Sequence, residues 1–344
     1  MAETEEKTRF HFDVVNSVKG GSGKSFFALQ LAAFHALKGR AAYIIDLDLR
    51  GTSWEPNYEN YITPHGAEAG TTISQWKSQG HDYPYIEKLM WHYENYKFSG
   101  IWSSIQVQDR DGHMSSVQLC IAEVGNYHRV DQLEEDLFEN TIFQITRDIR
   151  IFEENKERDV HIILDMPPSY ERHAQRVLTH MLLSTNSQFE DKDDALDDKL
   201  DKTIGKDFDY KTTIFMMETP APAHFIQNAH YIRSLFEDRQ YSSCVKQRLE
   251  KGSLRIVPVI NDVMGVISET VSWETVKETT SAKRPKQWNA IKIGKIGLEK
   301  YITPELHIDH LSLKSITNYY GDQEDSDRRI NLDDSPKLQL QSLE

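Results

Sequence analysis

Residues 14–25 read Val14-Val15-Asn16-Ser17-Val18-Lys19-Gly20-Gly21-Ser22-Gly23-Lys24-Ser25. The mostly apolar run Phe12 to Val15 predicts a buried strand. Gly20, Gly21 and Gly23 then free the backbone to turn its N–H groups inward around an anion. Phosphate suits that cradle: Lys24 puts a positive charge against β/γ-phosphates, and Ser25 offers a hydroxyl to Mg²⁺. The helix that begins here points its positive dipole end at the same place.

The general phosphate-loop pattern G-x-x-x-x-G-K-[ST] asks for glycine where this chain has Val18. The variant K-G-G-x-G-K-[ST] is matched at every specified position by Lys19, Gly20, Gly21, Gly23, Lys24 and Ser25. In this the chain resembles the deviant Walker A family of ATPases, which includes ParA and MinD. The resemblance implies ATP and Mg²⁺ as cofactors, with Gly20 to Phe26 (Gly20, Gly21, Ser22, Gly23, Lys24, Ser25, Phe26) wrapped around the nucleotide. It also implies that Lys19 reaches into the site of a second subunit, so that two molecules sandwich two ATPs.

Two further strand ends carry carboxylates. The run Ala41 to Asp48 delivers Asp46 and Asp48 at its carboxyl end, where ligands sit in open parallel sheets. By the resemblance, Asp46 helps hold the Mg²⁺ shell, Asp48 positions the attacking water, and Leu49 to Ser53 form a first switch loop. The run Val160 to Tyr170 ends in Asp165-Met166-Pro167-Pro168. This is similar to the family's D-x-P-P Walker B, whose aspartate meets Mg²⁺ through water. Metal contacts are thus expected at Ser25, Asp46 and Asp165, and catalytic roles at Lys19, Lys24 and Asp48.

Outward from these motifs, Ser25 to Arg40 has apolar residues around most of its face and predicts a helix stopping at Gly39. Residues 54–116 are rich in aromatics without a clean period and read as helices plus an insertion beside the switch loop. Most of the rings are expected in the core. Val117 to Val124 predicts a strand, and Asp131 to Arg158 a long amphipathic helix or two. Ser184 to Lys211, with its acidic centre, reads as an exposed insertion.

Strands are expected at Thr212–Met217, Leu254–Ile260 and, last, Ile291–Ile296, with a helix over Ala223–Phe236. Asn261 after the strand at 254–260 is a candidate adenine contact by the resemblance, as is the neighbourhood of Thr303 to Leu306. His307 and His310 read as two histidines on a surface helix, since no second ligand pair accompanies them.

Alternating strands and helices with three motifs at strand ends predict an α/β fold. It is a doubly wound, mostly parallel sheet of about seven strands with helices on both faces, the P-loop NTPase architecture. One domain over 1–320 with an acidic tail over 321–344 is expected. Of 344 residues, 38% are hydrophobic. No apolar run approaches the roughly 20 needed to span a bilayer, and a cytoplasmic location follows. The tail lacks the basic amphipathic helix by which MinD-like relatives hold membranes.

Cys120 and Cys244 belong to no C-x-x-C pair and read as free thiols. That spacing also fails the iron–sulfur relatives, and Tyr319-Tyr320 is too little for a tyrosine-kinase tail. A net charge of −14 gives no support to DNA binding by a global field. The expectation is therefore an ATP-dependent switch that forms a homodimer, has an activating protein partner, and positions or partitions a DNA or protein cargo. The alternative is a nucleotide-binding regulatory or scaffold protein with little turnover.

Overall fold

A computed structural model describes residues 10–108, 114–124, 135–168, 210–218, 253–261, 291–293 and 306–307. Strands are β1 (Phe10–Ser17), β2 (Ala41–Asp46), β3 (Ile62–Thr63), β4 (Ser103–Gln108), β5 (Met114–Cys120), β6 (Val160–Pro168), β7 (Tyr210–Glu218), β8 (Leu254–Asn261), β9 (Ile291–Ile293) and β10 (Leu306–His307). Helices are α1 (Lys24–Leu37), α2 (Trp54–Tyr58), α3 (Ile73–Ser78), α4 (Ile86–His92) and α5 (Glu135–Glu153).

Seven strands, in the order β5-β2-β6-β1-β7-β8-β9, run parallel. This is the expected parallel core. Beyond β5 the sheet continues with antiparallel β4, which pairs on its far side with β10 and with β3. The aromatic stretch is therefore partly sheet: β3 and β4 extend the edge, and β5 opens at Met114.

Strand alternation decides what each face carries. On β1, Phe10, Phe12 and Val14 join one apolar cluster with Tyr43, Ile45, Ile162, Leu164 and the Phe138, Ile142 and Ile149 face of α5. On the opposite face Val15, Ile44, Ile163 and Phe215 pack against Phe27, Leu31 and Phe34 of α1. Both faces are thus covered, as parallel strands require. The rings of the aromatic stretch do enter the core: Trp54, Tyr83 and Tyr85 are fully buried on the α1 side and Tyr93 and Trp102 lie on the other. Trp91 remains exposed.

The span 131–158 forms the expected long helix, α5, among its described residues. Other expectations are corrected. β7 begins at Tyr210, so Tyr210 and Lys211 belong to the sheet and not to the acidic insertion, whose remainder lies outside the described residues. β9 is not the last strand, because Leu306–His307 pairs with Val107 and Gln108. His307 is therefore in a strand and not on a helix, and Leu306 sits at the opposite edge of the sheet from β8. Residues 223–236, His310, Cys244 and the tail from 321 lie outside the described residues. Cys120 is a buried free thiol, and no helix among the described residues is long and apolar enough to cross a membrane.

Candidate nucleotide-binding site

β1, β6 and β2 end side by side, and their register sets the site. Val15 and Asp46 both lie opposite Asp165, which puts the loop after β1 and two carboxylates at one crevice. Strand order also reverses here, since the chain leaves β1 for β2 on one side and later enters β7 on the other. Such switch points are where open α/β sheets take ligands.

The loop itself is shaped by its glycines. Gly21 and Gly23 hold φ of 72° and 88°, the left-handed region that other residues resist. At Gly23 a Cβ would also lie 2.5 Å from Asn261 Nδ2. Space and backbone torsion both demand glycine there. Asn261, at the end of β8, donates from Nδ2 to the Ser22 carbonyl at 3.0 Å, pinning the loop from the β8 side. Its Oδ1 is buried and finds no hydrogen-bond partner among the described residues. Asn261 thus has an anchoring contact that its sequence context did not announce, and one free acceptor beside the loop.

Lys24 opens α1 and is buried, whereas Lys19 and Gly20 stand exposed at the outer rim of the loop. The Lys19 N–H donates to Ser17 Oγ at 3.2 Å, holding the loop's first turn. Phe26, in the first turn of α1, packs against the α1-side core. Ser22 Oγ is buried without a partner among the described residues.

Three carboxylates lie at this crevice, and Asp48 and Asp165 feel the Lys24 charge. Asp165 accepts from Trp54 Nε1–H at 2.9 Å on Oδ2. Its Oδ1 is buried without a partner. Burial pushes its pKa up to about 6, with Lys24, Ser25 and Trp54 pulling the other way. Asp46 is held on all sides: Oδ1 accepts from the Asp48 N–H at 3.0 Å, and Oδ2 from Thr52 Oγ1 at 2.5 Å and the Ala122 N–H at 3.1 Å. Burial and then the neighbouring Asp165 charge raise its pKa well above the usual carboxylate value. Asp48 Oδ1 accepts the Gly51 N–H at 2.8 Å, and burial raises its pKa as well.

A magnesium nucleotide fits these residues. An orphaned carboxylate oxygen costs free energy when buried, and a hydrated cation is the partner that suits it. Ser25 and Asp165 would hold the ion. Asp46 has about one of its four lone-pair positions left and would act mainly by ordering Asp48, Thr52 and Ala122. Trp54 and Thr52 are contributors that the motif pattern did not disclose. Thr52 lies inside the stretch read as a switch loop, whereas nothing in the sequence pairs Trp54 with a residue 111 positions away.

No family model and no curated protein matches the chain in sequence. Among solved structures, it is similar to a putative plasmid partition protein from Borrelia burgdorferi B31 bound to AMPPNP, with 14% identity and a TM-score of 0.48. That match covers 92% of this chain and 100% of the other. It is also similar to the Pyrococcus furiosus cell division ATPase MinD, at 13% identity and a TM-score of 0.43, covering 90% and 98%. A third is a cobyrinic acid a,c-diamide synthase from Mycobacterium smegmatis with bound ADP and magnesium, at 14% and 0.42, covering 94% and 98%. Strand order, the loop after β1 and the carboxylates at the strand ends make this chain a doubly wound, mostly parallel α/β fold with a glycine loop at its switch point.

Proposed function

We propose that the chain is an ATP-dependent molecular switch. It binds ATP with Mg²⁺ in the loop after β1, hydrolyses it, and closes into a nucleotide-sandwiched homodimer that positions or partitions a DNA or protein cargo. The observation behind this reading is the charge arrangement: Asp46, Asp48 and Asp165, all with raised pKa values, converge beside the buried Lys24 under a left-handed glycine loop. Such a site lacks cationic charge and offers N–H donors, which is what a magnesium polyphosphate complements.

The ion, when bound, neutralises charge developing on the transferred phosphoryl group. The chain's own residues do the rest. Lys24 holds the phosphates, Ser25 and Asp165 keep the ion's position, and Asp48 turns its second carboxylate oxygen toward a water. Lys19, exposed one residue outside the glycines, reaches the phosphates of a partner.

Light scattering during size-exclusion chromatography tests the switch. Wild type should dimerise with ATP and not ADP, Lys19→Ala should bind ATP yet stay monomeric, and Asp48→Ala should dimerise and remain so. Monomeric wild type and Asp48→Ala at high concentration with Mg²⁺ and ATP would overturn it. The hold of Gly51 on Asp48 favours a second reading, a nucleotide-holding regulator without turnover. Full ATP binding with no phosphate release selects that reading.

A further inference from the structure

At the other end of the same strands lies a second buried polar cluster that the nucleotide site does not use. His11 and Asp13 alternate with Phe10, Phe12 and Val14 on β1, so they face α1; His161 of β6 is in register with His11 and faces the same way. α1 returns to this level at its last turn and adds His35. Asp13 lies about 13 Å from the loop, four residues at roughly 3.3 Å each.

We propose that Asp13, His35 and His161 form a site for one divalent transition-metal ion of the zinc class, clamping β1, α1 and β6 at the end opposite the nucleotide loop. The three ligand atoms all lie within 4.8 Å of one another, in side chains that are 1%, 0% and 2% exposed. Asp13 Oδ2 is 2.7 Å from His161 Nδ1 and 3.7 Å from His35 Nε2. Donors at about 2.0–2.1 Å around tetrahedral zinc are about 3.3 Å apart, between those two values.

The His35 and His161 rings stack at 3.3 Å and 13°, so their in-plane lone pairs run side by side and both rings must turn to aim at one ion. Two imidazoles and a carboxylate suit zinc, cobalt or nickel and not magnesium or calcium, which prefer all-oxygen shells. A fourth position falls to water. The His11 ring stacks on His161 at 4.4 Å, outside the ligand group.

The ion would replace the proton shared by Asp13 and His161, which leaves to solvent. Arg40 makes the site discriminating. Its Nη1 lies 3.3 Å from His35 Nδ1 and can only donate, so it favours a proton on Nε2, the atom the ion needs. Metal binding moves that proton to Nδ1 and sends Arg40 toward Asp159, 3.9 Å from its Nε. An acceptor in place of Arg40 should therefore strengthen binding, a change of sign that general destabilisation would not produce.

The test uses the whole chain, freed of metal with chelator and titrated with Co²⁺ and then Zn²⁺, with no nucleotide present. One equivalent of Co²⁺ should develop a visible absorption band of low-symmetry coordination, and Zn²⁺ should abolish it. His161→Gln and Asp13→Asn should each weaken binding by more than about a hundredfold, beyond what a change outside the ligand shell costs. Arg40→Gln should tighten it severalfold. Asp165→Asn should leave it unchanged, which separates this site from the nucleotide carboxylates and makes the outcome independent of the ATPase reading.

Should a ligand variant fail to fold, X-ray absorption of the zinc-loaded wild type decides, because imidazole ring scattering from at least two histidines is required. Absence of stoichiometric binding, loss of binding in Asp165→Asn, or scattering from oxygen ligands alone would overturn the proposal.

Discussion

Two sets of carboxylates, three at strand ends and a single one at a helix end, behave in opposite ways. Asp46, Asp48 and Asp165 are all raised, and burial is the first cause of each shift. Glu153, at the end of α5, is just as inaccessible to solvent as a side chain, yet its pKa is lowered. Burial works against it too, but Arg158 donates twice, at 2.8 and 2.9 Å, and Tyr43 Oη once, at 2.6 Å. Lys156 adds a contact at 3.3 Å. One carboxylate with two cations and a phenol is complete within the protein, whereas Asp48 and Asp165 share the single Lys24. The direction of the shift thus separates a carboxylate paired with cations from carboxylates that outnumber theirs.

The largest effect should come from removing the lysine on which the first set depends. Lys24→Ala should lose ATP affinity by more than about a hundredfold, since truncating one partner of a buried charge contact costs about 2–5 kcal/mol. Titration calorimetry with Mg²⁺ and ATP reads this directly, and an unchanged affinity would dissolve the contrast between the two sets.

On the other side of the comparison, Glu153→Gln should destabilise the fold by about 2 kcal/mol, within the range of hydrogen bonds to charged groups. Arg158 and Lys156 are each more than a third exposed, so water softens their loss. The sign in pH follows from the lowered value. Glu153 contributes stability above its ordinary 4.5, and that contribution disappears as pH falls through the lower folded-state value. Denaturant midpoints across acid pH should therefore fall less steeply in Glu153→Gln than in wild type. Equal slopes would mean that Glu153 is not the depressed group.

A smaller effect sharpens the nucleotide side. Trp54→Phe keeps a buried ring but removes the N–H that fixes Asp165 Oδ2, leaving Oδ1 less well aimed at the ion. Affinity for Mg²⁺ with ATP should drop about tenfold, roughly 1.4 kcal/mol, while the denaturant midpoint without nucleotide moves little. A large fall in that midpoint with unchanged ligand affinity would make Trp54 a packing residue only.

The loop, the strand that feeds it and the carboxylates at 46, 48 and 165 were legible because each depends on neighbours in sequence. Glycines permit a left-handed turn wherever they stand, and apolar runs of strand length bury themselves whatever surrounds them. The same local logic predicted the parallel core and the helix at 24–37. It could not predict β4 or β10, whose pairings are edge additions with little pattern of their own, and it gave His307 the wrong element.

Contacts that join distant parts of the chain came from the fold: Trp54 with Asp165, Asn261 with Ser22, and Asp13 with His35 and His161. Alternation places His11 and Asp13 on one face of β1, but only the β1–β6 register and the return of α1 decide that His161 and His35 meet them there. A side chain's periodicity is carried by its own strand or helix. Its partner across the sheet is set by strand order, and no local pattern encodes that order.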